Sequence, residues 1–365
     1  MAGPVNINFG TAPNASTFTS DIGSATRLAT SAPFARYLTE EIYESSLMVQ
    51  SGLLQTDARL NNITGVIVEM PFFAPLNYTE ELVNSSATWG DNGKGFYTTQ
   101  KQTASTQYAP MVTRGAAFAM DDLSQVQTGE DALANIRSQL ARDMNRKITS
   151  KIISQITGLM DTALASHVVD VGIVDADGTG LSDANYLSAA TVTKGKAVLG
   201  ERGQDLKVLV VHPDVAYHME ALGMLTFLNS GGTVNYASNG IGVTDTQIGY
   251  FAGLRVVIDS QVPVTADTGT GKYSCYLAAP GVIRTGSQFP LQIETERNIL
   301  SLQDVMAVTY NRCDHVIGTS WKGSTTDPTN ANLATGSNWE AAYSDTRLIP
   351  LVELVVNTPY GVINP

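Results

Sequence analysis

TGEDALANIRSQLARDMNRKITSKIISQITGLMDTALASH, residues 128–167, is the stretch whose reading decides the fold. Its apolar residues fall at Leu133, Ile136, Leu140, Met144, Ile148, Ile152, Ile156, Leu159, Met160, Ala163 and Leu164. Steps of three and four residues mark one face of a helix. Thr128 can cap the start, with Asp131 three positions on and Glu130 beside the positive end of the dipole. No proline interrupts the run, and only Gly158 weakens it. A helix of roughly 36 residues would span about 54 Å, some three times the usual length. The spacing lacks a strict heptad, which predicts one packed face rather than a coiled coil. Arg137, Arg142, Asp143, Arg146, Lys147 and Lys151 are expected on the other faces. Such a helix is a strut for other pieces.

Working outward, residues 1–31 are rich in Ala, Ser, Thr, Asn and Gly and read as an extended arm. Residues 34–54 read as an amphipathic helix ending near Gly52, and Val66–Phe72 as a strand. From 76 to 110 the core signal disappears. Gly90, Gly93 and Gly95 stand near the middle, and polar β-formers lie on the far limb. A structureless loop of that length is disfavoured in a compact body. A projecting two-stranded ribbon is the better reading, and a lone ribbon needs outside support, most simply another copy of the chain. Met111 to Met120 returns as a strand. Beyond the helix, residues 187–201 read as helix and Leu206–Val211 as a buried strand. His212-Pro213-Asp214 starts a further helix with proline in a favoured place. Leu254–Ile258 and Tyr273–Ala278 read as strands, so 170–285 forms a second α/β unit. Strands at Leu291–Glu296 and Asp304–Tyr310 are expected against the long helix. A closing strand at 348–356 carries Pro350, a hint of an edge position.

Composition narrows function. The 365 residues carry net charge −12, with 43% hydrophobic and only 15% charged residues. Low charge fits a surface hidden against partners. An acidic chain is a poor general nucleic-acid binder. Residues 137–151 run against that balance, with five bases to one acid. This is either a solvated helix face or a basic stripe that meets an acidic neighbour or a packaged polyanion. Two cysteines exclude a disulfide scaffold, and the N-terminus lacks a signal-peptide pattern.

Catalytic motifs are weak. His212 and His218 are six apart and do not share a ligand face. Gly269-Thr-Gly-Lys lacks the first glycine of a phosphate loop. Asp175 and Asp177 resemble a calcium loop but meet Tyr186 where its glutamate belongs. Cys313 and His315 read as structural. No catalytic residue, cofactor or metal is expected.

The order is arm, helix, ribbon, strut, α/β unit and returning strands. Val208-Leu-Val-Val-His-Pro-Asp-Val-Ala-Tyr, Ile248-Gly-Tyr-Phe-Ala-Gly-Leu-Arg-Val-Val-Ile-Asp-Ser-Gln-Val-Pro, Glu294-Thr-Glu-Arg-Asn and Asn311-Arg-Cys-Asp-His-Val-Ile-Gly-Thr-Ser-Trp accompany it. Together these resemble the major capsid proteins of tailed bacteriophages, with the Hong Kong 97-like fold, over roughly 32–357. The resemblance implies an α+β chain with an N-terminal arm (1–33), a first helix and strand of a peripheral domain (34–75), and an extended β-ribbon loop (76–112). It further implies a spine helix (113–169), an α/β axial domain (170–290), peripheral return strands (291–322) and a C-terminal segment rejoining the axial domain (323–365). It implies self-assembly into pentamers and hexamers of an icosahedral shell around double-stranded DNA, in a virion assembled in the bacterial cytoplasm, without sequence-specific DNA binding and without a membrane. Scaffolding, portal and decoration proteins are the implied partners. The short leading segment suggests a separate scaffolding protein, or none. Trp89, Lys94 and Lys101 are the implied inter-subunit contacts of the loop, since some family members join a loop lysine to a neighbour's asparagine. An encapsulin-like cellular nanocompartment shell is the alternative.

Overall fold

The structure is a computed structural model that describes residues 47–61, 65–73, 80, 101–102, 104–121, 132–174, 180–227, 248–265, 269–289, 291–298, 303–360 and 362–363. The expected arm, the part of the expected helix before residue 47 and most of the expected ribbon before residue 101 lie outside these residues, as do Thr128, Glu130, Asp131 and the expected turn at 175–178. Element numbers count the described residues only. The first half holds α1 (Leu47–Gln50), β1 (Leu54–Thr56), β2 (Ile67–Phe73), β3 (Ala104–Asp121) and α2 (Ala132–Gly158). There follow β4 (Val168–Asp170), α3 (Ala189–Val198), β5 (Val208–Val211), α4 (Pro213–Ala221), β6 (Thr226–Phe227), β7 (Ile248–Phe251), β8 (Leu254–Ile258), β9 (Val264–Thr265), β10 (Gly269–Thr270) and β11 (Lys272–Ala278). The chain closes through β12 (Ile283–Gly286), β13 (Gln292–Asn298), β14 (Gln303–Val316), β15 (Thr319–Trp321), α5 (Asn330–Ala334), β16 (Trp339–Ala341), β17 (Leu351–Val356) and β18 (Val362–Ile363).

The expected strut is α2. It passes at Gly158 into a π turn over Leu159–Ala163 and a 3-10 turn over Ala165–His167. Every apolar residue of the repeat from Leu140 to Met160, and Leu164 beyond it, is buried. Two sheets meet this face. Val208, Val210 and Tyr276 come from one, and Ile293, Met306 and Val308 from the other, all in one cluster with the helix. Full burial of each such side chain is worth about 1.5–3 kcal/mol, so the helix is the seam of the molecule.

The first sheet has six strands in the order β1-β12-β14-β3-β2, with β13 also on β14. β3 changes partner halfway. Its residues 104–110 pair with β2, and 111–121 pair with β14, both antiparallel. This strand runs unbroken through residue 112, where the ribbon was expected to end.

The second sheet has eight strands in the order β4-β17-β11-β5-β8-β7-β6, with β9 on β11. Its centre is buried on both faces, which explains the uninterrupted apolar run of β5. Val208 and Val210 face α2, while Leu209 and Val211 face a second core with Val192 of α3 and Val215 and Met219 of α4. Strand alternation sends neighbours to opposite faces. β7 and β8 join through Ala252 and Gly253, both with positive φ.

Three expectations need correction. Leu54 lies in β1, not in the helix that Gly52 ends, because it pairs in parallel with Ile283 of β12. Pro350 precedes β17 rather than marking an edge; β17 is an interior strand between β4 and β11. Lys151 is not on a solvated face but buried, because a carboxylate meets it inside.

Candidate functional site: the seam between long helix and returning strands

Lys151 sits three residues after Ile148 and seven after Met144, so it falls within the apolar stripe of α2. β14 supplies its partner. Lys151 Nζ lies 2.7 Å from Asp314 Oδ2, and Arg312 Nε lies 2.6 Å from Asp314 Oδ1. The three side chains are between 0 and 10% exposed. Arg312 and Asp314 are two apart on a strand, so both project to one face. Burial alone would raise the Asp314 carboxyl. The charges of Arg312 and Lys151, with their hydrogen bonds, more than offset this and hold it well below the ordinary carboxylate range. Burial pulls Lys151 below an ordinary lysine, and the Asp314 charge counters it. The group is an electrostatic rivet between helix and sheet.

One residue along β14, His315 faces the other way. Its Nε2–H donates to Gln107 Oε1 of β3 at 2.9 Å, and the same oxygen accepts the Gly318 N–H at 3.3 Å. Burial first, and the Arg59 charge second, push this imidazole down to about 3. It is a neutral structural hydrogen-bond donor near pH 7. Further along β3, Arg114 donates to Asp327 Oδ1 at 2.8 Å and to the Pro328 carbonyl at 2.6 Å. The segment leading to α5 is thereby fastened to the sheet.

α5 and Trp339 then close over the helix end. Thr329 and Asn332 form a capping box. Trp339 is fully buried and donates from Nε1 to the Leu333 carbonyl at 2.8 Å. Its ring stands edge-on to Trp321, centroids 4.8 Å apart. A Cβ at Gly158 would overlap the Leu333 carbonyl oxygen and crowd Trp339 Nε1. Gly158, read from sequence as a weak point, is what lets this segment approach.

The side chains suspected of chemistry have structural duties. His212 Nδ1 accepts the Asp214 N–H and caps α4. Burial lowers its basicity, with Asp214 and Asp259 opposing. His167 Nδ1 bonds the Leu351 carbonyl at 2.8 Å, joining the turn after α2 to β17. Burial pushes the Cys313 thiol up to about 12, and the Cys275 thiol still higher. Neither is a ready nucleophile. Among the described residues no three His, Cys, Asp or Glu side chains group as a metal would require. Of the three expected loop contacts, Trp89 and Lys94 lie outside the described residues, and Lys101 is exposed.

Residues 104–346, from the first residue of β3 to beyond Trp339, match the family model described as "Phage capsid protein". The chain belongs to the phage capsid protein family. The major capsid protein of Bacillus phage SPP1 is 24% identical over 335 residues, covering 88% of this chain and 94% of that one. Among solved structures, the capsid of Ralstonia phage GP4 superposes with a TM-score of 0.55 at 9% identity, covering 85% of this chain and 88% of that one. The capsid of Cyanophage Pam1 gives 0.54 at 11% identity, covering 84% and 89%. At such identities the structural likeness shows the fold alone, one of mixed helix and sheet. This capsid protein is thus a major capsid protein of tailed-phage type, a structural shell component rather than an enzyme, and its place is the virion. The rivet and the tryptophan closure both lie inside the matched span.

Sequence reasoning missed the rivet, although a signal existed. A lysine inside an apolar helical repeat demands a buried counter-charge, and Asp314 in the buried end of β14 supplies it.

Proposed function

We propose that this capsid protein assembles from pentamers and hexamers of itself into an icosahedral shell around double-stranded phage DNA, on the Hong Kong 97-like plan. The observation that carries the reading is the match to a curated major capsid protein over nearly the full length of both chains. The physical support is a rigid centre: a 27-residue helix riveted between two sheets. Such a centre can transmit force between subunit contacts at its margins. In this plan residues 1–33 are the arm, 76–112 the extended loop, 113–169 the spine, 170–290 the axial domain and 291–322 the peripheral return. Residues 323–365 then lead back to the axial domain. Trp89, Lys94 and Lys101 meet neighbouring copies. Many modest interfaces add through multivalency in a closed lattice. Assembly takes place in the host bacterial cytoplasm, with scaffolding, portal and decoration proteins as partners.

The test is the content of the particles. Particles purified from infected cells and treated with nuclease are expected to release double-stranded DNA on heating. Shells filled with a protein cargo instead would favour the encapsulin-like nanocompartment and overturn this reading.

A further inference from the structure

Along one side of α2, running from the exposed Arg142 and Arg146 to the buried Thr149, lies a polar grouping. Arg142, Asn145, Arg146 and Thr149 follow one another at steps of three, one and three, so they share one side of the helix. They line one wall of an open cleft of about 210 Å³, and Ser260 and Gln261, from the loop after β8, line the other. All six side chains can donate hydrogen bonds, and two carry full positive charge. Asp259 is the one acid among the lining residues. Its Oδ1 already accepts the Gln261 N–H at 2.8 Å. Burial raises its carboxyl, while that hydrogen bond and the charges of Arg146 and His212 oppose the rise. The other acid at this helix face, Asp143, lies 3.8 Å from Lys147. Both arginines also line a second recess, against Phe118 of β3.

We propose that this cleft binds phosphate groups of the enclosed nucleic acid, with Arg142 and Arg146 as the two anchoring cations. Guanidinium forks suit the paired oxygens of a phosphodiester. Without the buried Lys151, the stretch 137–150 is net +3 in a chain that is −15 elsewhere, which favours polyanion contact here over the acidic remainder. The result is a shell wall that touches its contents at discrete points and repels them between those points. The inference rests on the reading that the shell encloses DNA.

The experiment uses the full-length capsid protein held unassembled at low concentration, and a fluorescent duplex of about 20 base pairs as probe. Binding is followed by anisotropy across a salt series. The R142Q/R146Q double variant is expected to bind on the order of tenfold more weakly. Its slope of log affinity against log salt should fall by about 2, close to one for each lost phosphate contact. K194Q, which removes one exposed charge from α3, is expected to leave both values unchanged, and circular dichroism checks that each variant is folded. An unchanged slope in the double variant overturns the proposal. So does displacement of the duplex by poly-glutamate at lower charge concentration than by unlabelled DNA, which would assign the cleft to an acidic protein segment. DNA content of nuclease-treated unaltered particles is measured separately, so failure of the cleft and failure of the enclosure reading give different results.

Discussion

Lys151 Nζ on the long helix stands 2.7 Å from Asp314 Oδ2 on β14, with both side chains shut off from water. A buried ion pair of this kind is weak evidence of net stabilisation, because desolvation offsets most of the attraction. The observed register of helix on sheet pairs both charges, and Arg312 holds the other carboxylate oxygen. Removing Lys151 leaves the buried carboxylate with Arg312 as its remaining charge partner. Lys151→Met is therefore expected to lower stability by about 1.5–3 kcal/mol, read by urea denaturation of the unassembled chain. A loss below ~1 kcal/mol would show that the site relaxes or admits water.

The pH dependence follows from Asp314 and has a defined sign. Its folded value lies well below the unfolded carboxylate value of about 3.9. A depressed acid contributes stability that is complete above the unfolded value and is lost as pH falls towards the folded one. Asp314→Asn should thus show a shallower loss of stability below pH ~4 than the unaltered chain, measured by acid titration of the denaturation midpoint.

His315 titrates in a higher window. Its folded value is about 3, against roughly 6.5 in the unfolded chain. Between those values the unfolded state takes up a proton that the buried imidazole refuses, so stability falls as pH drops. The contribution approaches roughly 1.4 kcal/mol per pH unit. Denaturation of His315→Asn at pH 4 to 7 should give a slope smaller by up to that amount. Equal slopes would mean that the imidazole is protonated in place.

Gly158→Ala tests the closure over the helix end. In an exposed helix this change would stabilise. Here the new methyl meets the Leu333 carbonyl and Trp339, and overpacking costs about 1–3 kcal/mol. A lower melting temperature with red-shifted tryptophan emission is expected, as Trp339 is displaced towards water.

Ala252 gives the opposite case. It holds φ 49° in the β7–β8 turn, where a two-residue hairpin prefers Asn-Gly. Ala252→Asn before Gly253 is expected to raise stability by about 0.5–1 kcal/mol. Calorimetry that finds no gain would show that the turn relaxes around alanine.

Local patterns carried much of this architecture. The three-and-four spacing from Leu140 to Leu164 gives the helix, the run Val208–Val211 gives a strand covered on both faces, and Pro213 gives the start of α4. The rest depended on partners far away in the chain. Lys151 looked like surface because Asp314 stands 163 positions later. Pro350 looked like an edge because β17 gains its two neighbours from β4 and β11, and no local signal encodes that order. The order of the Ser- and Asn-rich stretch before Trp339 likewise comes from distant partners, Arg114 and the end of α2 at Gly158.

The proposed shell makes this chain one tile among many. Electron microscopy of the purified full-length protein, expressed alone and with the phage's other head proteins, tests that directly. Closed shells of uniform diameter with fivefold and sixfold clusters are predicted in at least one of the two preparations. Dispersed single copies in both, stable and unassociated at high concentration, would contradict it.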